Sequence, residues 1–325
     1  MQSEKETQPT SRFCFFLVPG FSLVALSCAI DVLRAANVEI GHEVFSWYLA
    51  GSLPLDNERS EIISSSGLGL TVSDLAQNAD CDVISVCGGE KSHLFNCERT
   101  DNWLRQQARL GKTIGSISDG AYVVAAAGLF DDCRSTIHWK CQFAYRERHP
   151  KADIRTSILE IDGTRFSCAG GTASLDLMLH FVMQKTDRET VGKIADNYFH
   201  DVVRGQDQAQ QMTSAYRFAG RDQVMTDALL LMESNLEVPL QIATISHQLE
   251  ISPRQLDRLF TKHLGTTPSA HYREIRLIRA SGLLKQSQLS ISEIAVGCGF
   301  QSSSHLGRHF KKMYGRTPMQ QRRIV

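Results

Sequence analysis

Apolar and polar positions follow two different periods along this chain, and the change of period divides it in two. Residues 12–18 form an almost unbroken apolar run, which predicts a strand buried on both faces. Apolar residues at helical spacing over 21–37 predict a helix. Further strands are expected at 45–50, 82–87 and 113–117, and further helices at 101–110 and 121–127. Strands alternating with helices imply a parallel sheet covered on both faces, with any ligand site at the carboxyl ends of the strands. A helix expected at 174–184 is apolar on more than one face, which suits either a core position or a dimer surface. Residues 204–222 lose the apolar periodicity and carry Gln206, Gln208, Gln210 and Gln211. They read as a linker or a short polar helix.

Beyond the linker only the helical period remains, and one unit is written twice. Ser252, Leu256, Arg258, Phe260, Lys262, Gly265, Thr267 and Pro268 recur fifty positions later as Ser302, Leu306, Arg308, Phe310, Lys312, Gly315, Thr317 and Pro318. Ser252 suits a helix N-cap and Pro253 the first helical position, where a missing N–H costs nothing. Leu256, Leu259, Phe260 and His263 fall on one face, leaving Arg254, Asp257, Arg258 and Thr261 on another. In the second copy Leu306, Phe310 and Met313 are expected to pack, while Ser304, Gly307, Arg308 and Lys311 point outward. Each copy follows a short helix, 240–249 or 291–296, and a tight turn. Ser246 and Ala295 allow the helices to cross closely, and glycines serve the turn. These are two helix-turn-helix units, joined by a long helix expected at 271–285.

Charge sharpens this picture. From Glu250 onward there are thirteen Lys or Arg against four Asp or Glu, about +9, although the whole chain balances at 35 and 35. A basic end on an otherwise acidic protein is the footprint of nucleic-acid binding. At 325 residues and 42% hydrophobic content the chain has room for two cores. The first eleven residues are polar and are expected to form a disordered tail. No apolar run reaches membrane-spanning length, so a cytoplasmic protein without a membrane partner is expected. The nine cysteines lack regular spacing and sit largely in apolar runs, which suggests reduced core thiols. No metal-ligand spacing stands out, and neither metal nor cofactor is expected.

Residues from about 225 to 323 resemble the AraC/XylS type of bacterial transcription regulator, most specifically over Gly299-Phe300-x-Ser302 to Gly315-x-Thr317-Pro318. Gln321 departs from the aromatic residue usual before the terminal arginine. The resemblance implies an all-α domain at 223–325 whose two recognition helices read successive major grooves of promoter DNA. By motif position Arg254, Asp257 and Arg258, then Ser303, Ser304, Gly307 and Arg308, face the bases. Lys262, Lys311 and Lys312 suit phosphate. Arg258 and Arg308 are alternatively structural, bonding carbonyls of a neighbouring helix.

Three strand ends converge in the first part of the chain: Gly20-Phe21, Gly88-Gly89 and Ser118-Asp119-Gly120. A strand running through a small-residue turn into a helix has the layout of a nucleophile elbow. Ser118 would be the exposed side chain, His138 a possible base, and Gly88-Gly89 a source of backbone donors. Residues 12 to about 200 resemble the class I glutamine-amidotransferase-like superfamily, in the version fused to AraC-type domains. The resemblance rests on Val18-Pro19-Gly20-Phe21-Ser22, Cys87-Gly88-Gly89, Ile117-Ser118-Asp119-Gly120-Ala121, Thr136-x-His138-Trp139 and Ala169-Gly170-Gly171-Thr172-Ala173-Ser174-x-Asp176. It implies a flavodoxin-like domain over 12–203. Enzymes of that superfamily place a cysteine where Ser118 stands, and many a glutamate where Ala25 stands.

Loss of both groups argues for a sensor that has given up catalysis. The combined resemblance implies a nucleoid-associated regulator, usually an activator of catabolic genes, working with RNA polymerase and expected to be a homodimer. Its small-molecule effector is expected to be an amino acid or quaternary amine such as arginine, glycine betaine or carnitine. Phe21, Gly88, Gly89, Ser118, Asp119, His138 and Trp139 are the candidate ligand contacts, with Phe21 and Trp139 alternatively core and His138 alternatively structural. The competing reading is an amidohydrolase or peptidase that uses Ser118 and His138 and carries a DNA-binding appendage.

Overall fold

The computed structural model describes residues 10–52, 59–75, 80–210 and 222–323. Backbone contacts group them into two compact units. One comprises residues 1–142 and 149–210, the other 143–148 and 211–325.

The first unit is built on a sheet whose strands are β1 (Ser11–Leu17), β2 (Phe45–Gly51), β3 (Arg59–Ile63), β4 (Gly69–Asp74), β5 (Val83–Cys87), β6 (Thr113–Ile117), β9 (Leu159–Asp162) and β10 (Arg165–Cys168). Two short strands, β7 (Arg134–Ser135) and β8 (Asp153–Ile154), pair separately. The sheet order is β3-β4-β2-β1-β5-β6-β10-β9, with antiparallel pairs only at its two ends. The chain builds outward from β1 in one direction and from β5 in the other. The carboxyl ends of these two strands therefore mark the point where strand order reverses, the usual ligand crevice of an open α/β sheet. Phe13 to Leu17 and all of β5 are buried, as strands covered on both faces must be.

The helices α1 (Leu23–Ile40), α2 (Glu98–Arg109), α3 (Ala121–Ala126), α4 (Gln142–Arg148), α5 (Ala173–Met183) and α6 (Arg188–Asn197) complete the order through the first two thirds of the chain. Helix α5 packs on α1, and its Phe181 meets Phe13 edge-on at 5.4 Å and Phe166 at 5.2 Å. Its several apolar faces thus belong to the core of this unit. The β3–β4 hairpin, the short strands β7 and β8, helix α4, the β9–β10 hairpin and α6 escape the periodicity reading. Each is short or lies at an edge, where one polar face erases the apolar run.

The expected linker starts too early. Residues 204–210 are part of the α/β unit: Arg204 bonds Asp176, the Gln208 carbonyl accepts from Ile158, and the Gln210 backbone N–H donates to Thr156. The Gln210 carboxamide donates to Thr136 and to the carbonyls of Ile137 and Ser157, each at 2.9 Å. A glutamine looks like linker composition, yet its carboxamide here adds to the bonds that the Thr136 hydroxyl and the Gln142 amide make to the same two carbonyls. Residues 211–221, the rest of that segment, lie outside the described residues, as do residues 1–9 of the expected tail. Ser11 already belongs to β1.

The second unit contains α7 (Gln223–Ser234), α8 (Ile242–Gln248), α9 (Pro253–Leu264), α10 (Pro268–Gln286), α11 (Ile291–Gly297), α12 (Ser303–Tyr314) and α13 (Pro318–Arg322). Two apolar clusters serve it. Leu256 and Phe260 of α9 pack with Met225, Leu229 and Met232 of α7, and Leu306 and Phe310 of α12 pack with Leu277, Leu283 and Leu284 of α10. Gln321 is buried in α13, so a polar amide takes the aromatic position.

The Asp176 carboxylate, with no exposed side-chain surface, accepts from His200 Nε2 at 2.7 Å and Arg204 Nη2 at 2.6 Å. Asp176→Ala strands both partners. It is expected to lower the stability of this unit by about 2–4 kcal/mol, short of the largest losses for buried pairs because Arg204 keeps some solvent. Urea unfolding followed by circular dichroism measures the loss.

Candidate ligand pocket and nucleic-acid interface

β6 ends in a sharp reversal. Ser118 has a left-handed backbone, φ +56°, and such a conformation in a non-glycine residue costs about 1–3 kcal/mol unless its surroundings impose it. They do. A Cβ on Gly88 would overlap the Gly120 nitrogen, one on Gly120 would overlap the Val86 carbonyl, and one on Gly170 would lie 2.5 Å from the Ser118 Cβ. The Cys168 sulfur receives backbone N–H groups from Gly170 and Ser118, although burial, the larger effect, pushes its thiol up to about 11. This cysteine is protonated and inert near neutral pH.

Asp119 follows the elbow and is 4% exposed. The Cys141 thiol donates to its Oδ2 at 3.3 Å, while Oδ1 is buried without a hydrogen-bond partner. Burial pushes its carboxyl from the ordinary 3.8 up to about 6, opposed by the Cys141 hydrogen bond, reinforced by the charge of Glu90 and opposed again by a hydrogen bond with the Ser118 side chain. Buried carboxylate oxygens normally find a hydrogen-bond donor, which singles out Oδ1 as the acceptor a ligand could use.

The other expected contacts divide. The backbone N–H of Gly88 donates to the Ile117 carbonyl and that of Gly89 to Ser92 Oγ, so both donors foreseen for a ligand carboxylate are already used. Phe21 is fully buried in the main core with Leu17, Ala25 and Leu26, which places its ring in the core alternative. Ala25 is likewise buried where an acid would have stood. His138 and Trp139 are half-buried and stacked, with ring centroids 5.7 Å apart. The Nδ1 of His138 accepts from the Lys140 N–H at 3.4 Å, and no hydrogen bond joins His138 to Ser118. Burial, then Lys140, lowers its basicity. Cys141 and Ser92, which complete the surroundings of Asp119 and Gly89, had no motif signal. Only their sequence proximity to His138 and Gly88-Gly89 points to them.

The helices of the second unit are set by caps. Ser252 and Gln255 form a reciprocal capping box at the start of α9, and Ser302 caps α12 through the His305 N–H. Both helices end on left-handed glycines, Gly265 and Gly315. The Thr-Pro pairs do more than stop them: Thr267 caps α10 and Thr317 caps α13. The two turns differ. Glu250 supplies the left-handed residue of the first, at φ +56°, and Gly299 that of the second, at φ +70°. The first helices of the two units stand 49 residues apart and the recognition helices 50, so the second turn is one residue longer.

Arg254, Asp257, Arg258 and Lys262 are exposed on α9, as are Ser304, Arg308, Lys311 and Lys312 on α12, with Ser303 and Gly307 half-buried beside them. Met313, expected to pack, is 38% exposed. Among the described residues Arg258 and Arg308 have no hydrogen-bond or ion-pair partner, whereas Arg276 of α10 donates to the Gly299 carbonyl and lies 4.9 Å over the Phe300 ring. The structural arginine is thus Arg276.

Residues 11–184 match the DJ-1/PfpI family, and residues 245–324 match a helix-turn-helix domain. The HTH-type transcriptional regulator GlxA of Rhizobium meliloti is 36% identical over 325 residues, spanning 99% of each chain. The HTH-type transcriptional regulator GbdR of Pseudomonas aeruginosa is 33% identical over 309 residues, 95% of this chain and 83% of that protein. An AraC family transcriptional regulator from Pseudomonas putida, solved as a crystal structure, covers 58% of this chain and 99% of its own, with 27% identity and a TM-score of 0.52. This chain belongs to the AraC family of DNA-binding transcription regulators, in the branch with an N-terminal DJ-1/PfpI domain.

No helix among the described residues is long and apolar enough to cross a membrane.

The raised carboxyl of Asp119 has a signed consequence. Its folded value lies above the ordinary one, so it favours the folded state fully below about pH 4 and withdraws that contribution as pH rises through about 6. Asp119→Asn should flatten the dependence of melting temperature on pH between those values and leave it unchanged at pH 7 to 8. Calorimetric melts across the range read this out.

Proposed function

We propose that this AraC-family regulator is a non-catalytic receptor joined to a promoter-reading domain, and that it activates catabolic genes when a small metabolite occupies the region around Asp119. The observation that carries the reading is the buried Asp119 carboxylate with one oxygen unpartnered, beside a serine to which His138 makes no hydrogen bond. A cation satisfies such an oxygen better than any neutral group, so the effector is a quaternary amine or the cationic end of an amino acid, in the range of arginine, glycine betaine or carnitine. His138 and Trp139 offer aromatic faces to the same cation. Ser118 and Asp119 are nearly closed off, 8% and 4% exposed, so uptake requires local opening. Gly88 and Gly89 shape the site through their lack of side chains.

The rival, a hydrolase built on Ser118 and His138, needs the imidazole to take the serine proton. A half-buried ring of lowered basicity that accepts from Lys140 N–H is poorly placed for this. RNA polymerase is the expected partner at the promoter, and a homodimer would present four recognition helices to paired sites.

Two measurements on the full chain test the reading. Genome-wide mapping of binding sites is expected to place the protein beside catabolic genes. Calorimetry against amino acids and quaternary amines is then expected to find at least one ligand whose binding weakens tenfold or more in Asp119→Ala; silence across the panel, or turnover abolished by Ser118→Ala, would overturn the receptor reading.

The DNA face divides by contact type. Arg254→Ala is expected to cost about 1–3 kcal/mol and to relax preference at one base position. Lys262→Ala should weaken all sequences equally and lower the salt slope by about one. Footprints and salt titrations on a mapped site distinguish these; an Arg254→Ala footprint identical to wild type at every base would remove its reading role.

A further inference from the structure

The second recognition helix carries two histidines that belong neither to its outward stripe nor to its buried one. His305 and His309 stand four residues apart on α12, so their rings leave the helix along one strip. Their Nε2 atoms face one another at 3.0 Å, with ring centroids 4.8 Å apart and ring planes inclined by 67°. Two imidazole nitrogens held at about 2.0–2.1 Å from one tetrahedral or octahedral metal lie about 2.9–3.4 Å apart. The pair already has the bite of a chelate.

The surroundings fix that geometry. Phe300 meets His305 edge-on at 5.8 Å and stands 6.5 Å from His309. Nδ1 of His305 is buried without a partner, so the direct contact between the rings leaves this histidine under-satisfied. Burial, then Arg308, Arg276 and Arg273, lowers the basicity of His305; burial, then Arg273, His305, Arg308 and Lys312, lowers that of His309. Chelation needs the lone pairs of both Nε2 atoms, so the ring that donates in the present contact shifts its hydrogen to Nδ1. The same cations oppose an incoming dication. They limit affinity and favour metals that bond imidazole strongly over those that depend on charge.

We propose that His305 and His309 chelate one divalent transition-metal ion of the imidazole-preferring class, nickel, copper or zinc, on the flank of the second recognition helix beside Arg308. The spacing is that of paired metal-binding histidines on a helix, but Leu306 stands where a metallopeptidase carries its glutamate base. The site binds; it does not hydrolyse. Among the described residues no group of three or more His, Cys, Asp or Glu converges on one point, so solvent or a DNA phosphate completes the coordination. Occupancy ties two turns of α12 together next to the residues that face DNA.

Nickel(II) titrated into the full chain by calorimetry tests the site, with magnesium as the control for charge alone. One saturable equivalent is expected in the wild type, with a rise in melting temperature, and no response to magnesium. Affinity should fall at least tenfold in His309→Gln and in His305→Gln. Every cysteine remains in these variants, so nickel held by thiols would persist in them. Absence of saturable binding in the wild type, or equal binding by wild type and His309→Gln, would overturn the proposal. Should His305→Gln disturb the packing of Phe300 and fail to fold, His309→Gln, whose ring lies farther from that core, decides alone.

Discussion

Backbone segments at the carboxyl ends of β5, β6 and β10 meet at separations that only glycine allows, and the chemistry of the α/β domain follows from that approach. Gly88 lies against Gly120, Gly120 against the Val86 carbonyl, and Gly170 against Ser118. With no side chain in between, the chain must reverse at Ser118 in a left-handed conformation and deliver Asp119 into the interior. The same closeness uses up the Gly88 N–H on Ile117. The site therefore has a surplus acceptor, Asp119 Oδ1, and few spare donors, the opposite of what an oxyanion-stabilising hydrolase requires. Its polarity suits a positively charged guest.

The sequence is most legible where one physical rule acts alone. Buried parallel strands such as β1 read directly as apolar runs, and the capped, glycine-terminated helices α9 and α12 read directly as a repeat, because caps and left-handed ends each demand a few residue types. It is least legible where a polar residue serves long-range bonding. Gln210 looks like linker and is a buried crosspiece to two segments, 136–137 and 156–157. Gly88 and Gly89 look like free donors because a sequence does not reveal that Ile117 and Ser92 already take their hydrogens. Glu250 adopts the left-handed turn expected of glycine, since bonds from its own N–H to His247 and from Ile251 to Ser246 hold the turn closed. Asp119 was legible as a candidate, but its unpartnered oxygen emerges only once Cys141 is seen to take the other one.

In the helical unit the constraint is spacing. Helix α10, with 19 residues, is on the order of 28 Å long, close to the ~34 Å repeat of the duplex. Its residues enter both apolar clusters, Tyr272 in the first and Leu277 to Leu284 in the second. Arg276 adds a third tie, from α10 to the turn before α12. A helix anchored at both ends in separate cores acts as a ruler, so the two arginine-bearing faces are held at a set distance without touching. This also explains why Arg276 is engaged while Arg258 and Arg308 stay free. On the proposed reading the spacer helix needs internal bonds, and the arginines that face DNA must not have them.

A buried acid of raised pKa is costly at neutral pH, because burial penalises its ionised form by more than its bonds to Cys141 and Ser118 offset. On the receptor reading that cost supplies selectivity. A cation relieves the unpaired charge, a neutral isostere only fills space, and an anion adds repulsion to desolvation. Discrimination among similar metabolites then needs no elaborate pocket, since the penalty for the wrong guest is already present before it arrives. On the same reading the elbow is kept because the left-handed turn at Ser118 carries Asp119 into the interior, a placement that a relaxed loop would not fix.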